Sequence, residues 1–185
     1  MRAFEGGFPD PFIWPRYNGL CVGNIAATTG KLLDVPLPHT LPPLREDLLA
    51  GMTDGVKRVV VLVIDALGWQ QLQEVMAADE SLVFHHLAEQ GRLLPITTIF
   101  PSTTDNALST IWTGRAPTEH GLLAYEMFLR EWGMAVEAIR FSPFFRPFSG
   151  DLEDWGLEPE EFLPVPTTAQ LLANHGMPSD VVILK

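Results

Sequence analysis

Apolar and polar positions divide this chain into blocks of different period. Val59-Val60-Val61-Leu62-Val63-Ile64 has no polar alternation and is mostly β-branched. Such a run, opening at Arg58, predicts a strand covered on both faces, as in a parallel sheet. Helical spacing follows it. Leu67, Leu72, Val75 and Met76 predict a helix over 67–78, and a second over 82–90 stops at Gly91. Arg92 to Phe100 reads as the next strand, and 104–113 as the next helix, closed by Gly114. Strand, helix, strand, helix in this order implies an α/β sheet with parallel members.

The flanks are less regular. Residues 1–15, rich in Pro, Gly and aromatics, read as an extended arm. Asn24 to Asp34 predicts a short helix with Ile25, Leu32 and Leu33 inward, broken by Pro36, Pro38, Pro42 and Pro43. Leu44 to Met52 predicts another, closed near Gly51 and Gly55. Downstream, Tyr125–Arg130 and Met134–Phe141 flank Glu131-Trp132-Gly133 as a hairpin. Pro143 to Gly150 reads as a loop or lid. Thr167 to His175 reads as a helix with Leu171 and Leu172 inward, stopped by Gly176. Val181 to Leu184 begins a further buried strand, with nothing after Lys185 to cover it. The expectation is the N-terminal portion of one longer α/β domain.

Composition narrows the function classes. At 46% hydrophobic residues, the 185-residue chain can bury a substantial core. A net charge of -11 repels polyanions, which argues against duplex nucleic acid as a partner. A small anionic substrate stays compatible, because a bound metal inverts the local field. The single cysteine, Cys21, allows neither an intrachain disulfide nor a Cys-based zinc site, and reads as a small core residue. No signal-peptide pattern opens the sequence, and Val59–Ile64 is too short to span a bilayer. A soluble, cytoplasmic protein is expected.

The candidate chemistry sits at two element ends. Asp65 closes the first strand, and Thr104 opens a helix 39 residues later within Phe100-Pro101-Ser102-Thr103-Thr104-Asp105-Asn106. Ligands of parallel sheets bind beyond the carboxyl ends of the strands, so neighbouring strands would bring both side chains to one crevice. A free hydroxyl is a poor nucleophile near pH 7, and a divalent cation held by the carboxylate would activate it. The helix start offers free N–H groups and a positive dipole end to a phosphate. Structural readings compete: Asp65 as a helix cap, Ser102 as the cap of the next helix with Asp105 completing a capping box, and Thr104 as a first-turn residue facing water. Spacing alone leaves these open.

Three ordered segments carry a resemblance: Val61-Leu62-Val63-Ile64-Asp65-Ala66-Leu67-Gly68, Phe100-Pro101-Ser102-Thr103-Thr104, and Thr113-Gly114-Arg115-Ala116-Pro117-Thr118-Glu119-His120-Gly121. Over roughly residues 55–145 the chain resembles the type I phosphodiesterase / nucleotide pyrophosphatase branch of the alkaline phosphatase superfamily. The resemblance implies a three-layer α/β sandwich with a mostly parallel sheet. Residues 1–55 would form an arm and short helices, and residues 56–185 the sheet, nucleophile helix and hairpin, truncated after Lys185. It implies a metal-dependent hydrolase of phosphoric esters, with Asp65 as metal ligand and Thr104 as nucleophile and neighbour of a second metal. Two divalent ions are expected, zinc by resemblance, together with a small phosphorylated substrate. Tyr125 stands where nucleotide pyrophosphatases place an Asn that steadies a phosphate oxygen; its hydroxyl can also donate.

The remaining Asp and His ligands are expected beyond Lys185. His39, His85, His86 and His175 do not replace them, and His120 reads as structural or as a support to the site. Alternatives are a non-catalytic fragment or binding module lacking the full metal site, or another superfamily hydrolase such as a phosphonate hydrolase. Thr104 argues against a sulfatase, which carries a modified Cys or Ser. Gly30-Lys31 lacks the other residues of a phosphate-binding loop, and no Gly-x-Ser-x-Gly elbow is present. Phe141, Phe144, Phe145 and Phe148 read as core or lid packing.

Overall fold

The computed structural model describes residues 13–145 and 151–182. Most of the arm at 1–15, the end of the loop at 143–150 and the end of the strand at 181–184 lie outside the described residues. The architecture is mixed: nine short helices and one three-stranded antiparallel sheet among the described residues. None of these helices is long and apolar enough to cross a membrane.

A 3-10 turn at Val22–Asn24 leads into α1 (Ile25–Leu32). The buried face of α1 is Ala26, Thr28 and Gly30, not the expected Ile25, Leu32 and Leu33, which are only half-buried. Small residues win because the neighbouring chain segment approaches closely: a Cβ on Gly30 would lie 2.7 Å from Val35 O. A Cβ on Gly23 would lie 2.6 Å from Leu41 Cδ1 and 2.9 Å from Thr110 Cγ2. Expected helix 44–52 contracts to α2 (Glu46–Leu49), whose end carbonyls are bound by Arg92: Nη1 donates to Asp47 O at 2.7 Å and Nη2 to Ala50 O at 3.0 Å.

Helices α3 (Trp69–Ala78) and α4 (Val83–Gln90) fall where the periodicity predicts, but neither has a buried residue. The two expected parallel strands do not form. No ladder runs through 58–64, and Val60 and Leu62 are 90% and 79% exposed. In 92–100 a single parallel bridge joins Thr97 to Cys21, and only Ile99 is buried. A central strand needs paired backbone on both edges and apolar cover on both faces. The described residues provide neither around 58–64. Val181 and Val182 are likewise exposed and outside any strand.

Helix α5 (Thr104–Thr113) has the expected bounds, and Gly114 ends it with φ 68°, where a Cβ would also meet Ala26 Cβ at 2.8 Å. Residues Pro117–His120 form α6. The hairpin is present as β1 (Glu126–Leu129) and β2 (Met134–Glu137), with Leu129 opposite Met134. A third strand, β3 (Ser142–Pro143), pairs with β2 inside the stretch read as a loop. Short helices α7 (Asp151–Asp154) and α8 (Pro159–Phe162) follow. Val136, Leu152 and Leu157 form a small core there, against Trp132, Phe141 and Phe162. Phe141 meets Phe162 edge-on, which supports core packing, whereas Phe144 and Phe145 are exposed. Helix α9 (Thr168–Ala173) is capped by Thr167, whose Oγ1 accepts the Gln170 N–H, and it buries Leu172.

Candidate active site

Thr104 is the first residue of α5, so its side chain leaves the helix at the end where backbone N–H groups lack partners. The segment before it is anchored on both sides. Asn106 Nδ2 donates to Pro101 O at 2.6 Å, and the Phe100 N–H donates to the Tyr17 hydroxyl at 3.2 Å. The cap position is Thr103, not Ser102, and Thr103 makes no side-chain capping bond. Ser102 is exposed and stands one residue outside it. The Ser102–Asp105 capping box therefore does not form; the extended backbone at Thr103 moves the helix start one residue on.

Asp65 lies in a turn after the apolar run. It is not the cap of α3, a position held by Gly68. Its Oδ1 accepts the N–H of Ala66 at 2.9 Å, and Ala66 takes a left-handed φ of 60°. That turn points the carboxylate at α5. Thr104 Oγ1 lies 3.5 Å from Asp65 Oδ1 and 3.4 Å from Oδ2. These separations are long for an O–H···O bond. They suit two oxygens on one cation: ligands at about 2.0–2.2 Å in a tetrahedral shell sit about 3.3–3.6 Å apart. The donor set is thus a fit for part of one metal's shell. No group of three or more His, Cys, Asp or Glu that could hold a metal occurs among the described residues.

Left-handed backbone costs an L-residue about 1–2 kcal/mol, and such strain collects at functional turns. Ala66→Gly removes that cost and adds about 0.4–1 kcal/mol of unfolded-state freedom. The variant is expected to be slightly more stable, by roughly 0.5 kcal/mol from the difference of those ranges. Urea denaturation checks this; a clear loss of stability would show that Ala66 is unstrained.

The acid after Thr104 was not singled out by its sequence as unusual. Asp105 is 7% exposed, and neither carboxylate oxygen has a hydrogen-bond partner. It places a buried carboxyl group in the first turn of α5. Tyr125 precedes β1 and is exposed; no hydrogen bond joins its hydroxyl to Asp65 or Thr104. His85 and His175 bond to the carbonyls of Met76 and Leu171, both at 3.0 Å, and His39 lies in a loop with φ 63°. His120 is buried, and burial pushes its pKa down to about 4.

A family model described as "Type I phosphodiesterase / nucleotide pyrophosphatase" matches residues 59–139. Searches of curated proteins and of solved structures returned no match. The match spans a little under half of the chain, yet it contains the apolar run, Asp65, the whole of α5 and Tyr125. Over residues 59–139 the chain is thus similar to the type I phosphodiesterase / nucleotide pyrophosphatase family.

Proposed function

We propose that this protein is a metal-dependent hydrolase of phosphoric esters, of the phosphodiesterase / nucleotide pyrophosphatase type, with Thr104 as nucleophile. The observation that carries the reading is the approach of Asp65 to Thr104, 3.4–3.5 Å between oxygens of residues 39 apart in sequence. The family-model match over residues 59–139 supports phosphoester hydrolysis as the reaction class. Thr104 Oγ1 attacks phosphorus, the ester oxygen leaves with its electron pair, and a phosphothreonine monoester or diester forms. Water then attacks the same phosphorus and returns the Thr104 hydroxyl. Asp65 holds its carboxylate against the attacking oxygen, and the free N–H groups of the α5 start face the phosphoryl oxygens. Tyr125 donates its hydroxyl to a substrate oxygen.

Asp65 and Thr104 would hold one of two divalent cations, zinc by the resemblance to the family. When bound, such ions supply positive charge that lowers the pKa of the hydroxyl and neutralises phosphoryl oxygens. The other ligands come from outside the described residues. In the same reading, Arg58–Ile64 and Arg92–Phe100 are neighbouring parallel strands of an alkaline phosphatase-like sheet. The exposure of Val60 to Ile64 supports this, because an apolar β-branched run is not stable in water without cover.

Acid quenching during turnover of bis(4-nitrophenyl) phosphate with zinc, followed by peptide mapping, tests the assignment. A phosphoryl adduct on Thr104 is expected. An adduct on Ser102 or Thr103 would overturn it.

A further inference from the structure

Helix α5 has a second fixed point far from its cap. Thr110 lies six residues after Thr104, about 9 Å along the axis, and is fully buried. His120, at the end of α6, is buried against it, with Nε2 2.9 Å from Thr110 Oγ1. On the other side of the ring, the N–H of Leu122 donates to Nδ1 at 3.1 Å. An N–H donor facing Nδ1 requires a lone pair there, so the ring proton sits on Nε2. Nε2–H then donates to Thr110, and both ring nitrogens are satisfied.

We infer that His120, as its neutral Nε2–H tautomer, is a positioning residue that fixes the helix carrying Thr104, by clamping Thr110 to the Gly121-Leu122 turn. The functional meaning of the clamp rests on the reading of Thr104 as nucleophile; the clamp itself does not. A second proton would go to Nδ1, set two donors against each other and expel Leu122. Glu119, on α6 itself, is turned elsewhere: its Oε2 accepts the Ala116 N–H at 2.8 Å, and Oε1 pairs with Arg115 at 3.6 Å. The acid of α5, Asp105, lies more than a turn before Thr110. Desolvation therefore dominates at His120 and keeps the ring neutral. Between pH 6.5 and about 4 the unfolded chain binds a proton that the folded chain does not, so the clamp is complete above pH 6.5 and fails as pH falls towards 4.

Long-range nitrogen NMR of the wild-type chain should show Nδ1 bare and Nε2 protonated at pH 7, titrating well below 6.5. Protonated Nδ1 at pH 7 would overturn the inference even if no variant folds. Thr110→Val keeps the shape and removes the acceptor, and Thr110→Ser keeps the acceptor. The valine variant should speed amide exchange at Ala107 and Leu108 by about five- to tenfold, the equivalent of one lost hydrogen bond, with serine restoring wild-type protection. Equal exchange in the two variants would defeat the clamp. In turnover, Thr110→Val should lower kcat at constant KM. Failure of the nucleophile reading would appear separately, as undiminished turnover in Thr104→Ala, and leaves the exchange result standing.

Discussion

Thr104→Ala is expected to lower phosphodiester turnover by at least about 10³-fold, the scale at which loss of a nucleophile leaves only binding and electrostatic catalysis. The fold should not suffer. Thr104 occupies the first helical position, is half-buried, and its approach to Asp65 is too long to contribute much stability. Alanine there costs within about 0.5 kcal/mol, as at ordinary surface positions. Thr104→Ser keeps the hydroxyl and should retain measurable activity. Two neighbours make the test discriminating. Ser102 is exposed, and Thr103 forms no side-chain capping bond, so alanine at either should leave both stability and turnover near wild type. Steady-state kinetics beside urea denaturation decides the matter. A collapse in Ser102→Ala or Thr103→Ala with an active Thr104→Ala would move the nucleophile to a different hydroxyl.

What was legible in the sequence was local. Helix α5 was found with its correct bounds because Gly114 can adopt φ 68° and end it. The hairpin was legible through Gly133 at φ 64°, and α9 through the apolar pair Leu171 and Leu172 followed by Gly176. What failed depended on distant partners. The apolar run at 58–64 carries a strong strand signal, but a strand also needs pairing and cover, and the described residues offer none. Thr97 does find a partner, Cys21, with the N–H of Val22 donating to Thr97 O at 2.9 Å and the N–H of Thr97 to Leu20 O at 2.8 Å. Nothing in residues 20–22 marks them as a strand. The buried face of α1 is not the one its large apolar residues predict, because contact distance selects Ala26 and Gly30.

The site divides in the same way. Asp65 and Thr104 stand out in the sequence because each sits at the end of a locally coded segment, and the structure brings their oxygens within 3.5 Å. The left-handed Ala66 was not, since alanine carries no preference for positive φ. The unpartnered burial of Asp105 was equally hidden, because a first-turn acid normally faces water. The Thr110–His120 bond crosses between two helices, so neither residue announces it.

Asn24→Leu is expected to destabilise the fold by about 3–5 kcal/mol, from three backbone groups orphaned at about 1–3 kcal/mol each with water reaching some of them. Asn24 is fully buried, and every polar atom of its side chain is used. Nδ2 donates to Tyr17 O and to Pro42 O, both at 2.7 Å, while Oδ1 accepts the N–H of Cys21 at 2.8 Å. One amide thus ties together three segments that no ladder joins. Its backbone carbonyl accepts the Thr28 hydroxyl at 2.7 Å, and the same Thr28 oxygen accepts the Leu44 N–H at 2.8 Å. The network holds the chain on both sides of the face that α5 packs against, where Gly23 meets Thr110. Leucine matches the amide in size but satisfies none of these groups. Asn24→Asp keeps the acceptor for Cys21, orphans the Tyr17 and Pro42 carbonyls, and sets a buried charge beside them, so it should be no milder. Because Asn24 and Thr28 act through one network, the double variant with Thr28→Val should lose less than the sum of the singles. Urea denaturation of the four proteins measures this cycle. A loss below about 1 kcal/mol for Asn24→Leu would mean that water replaces the amide at all three positions.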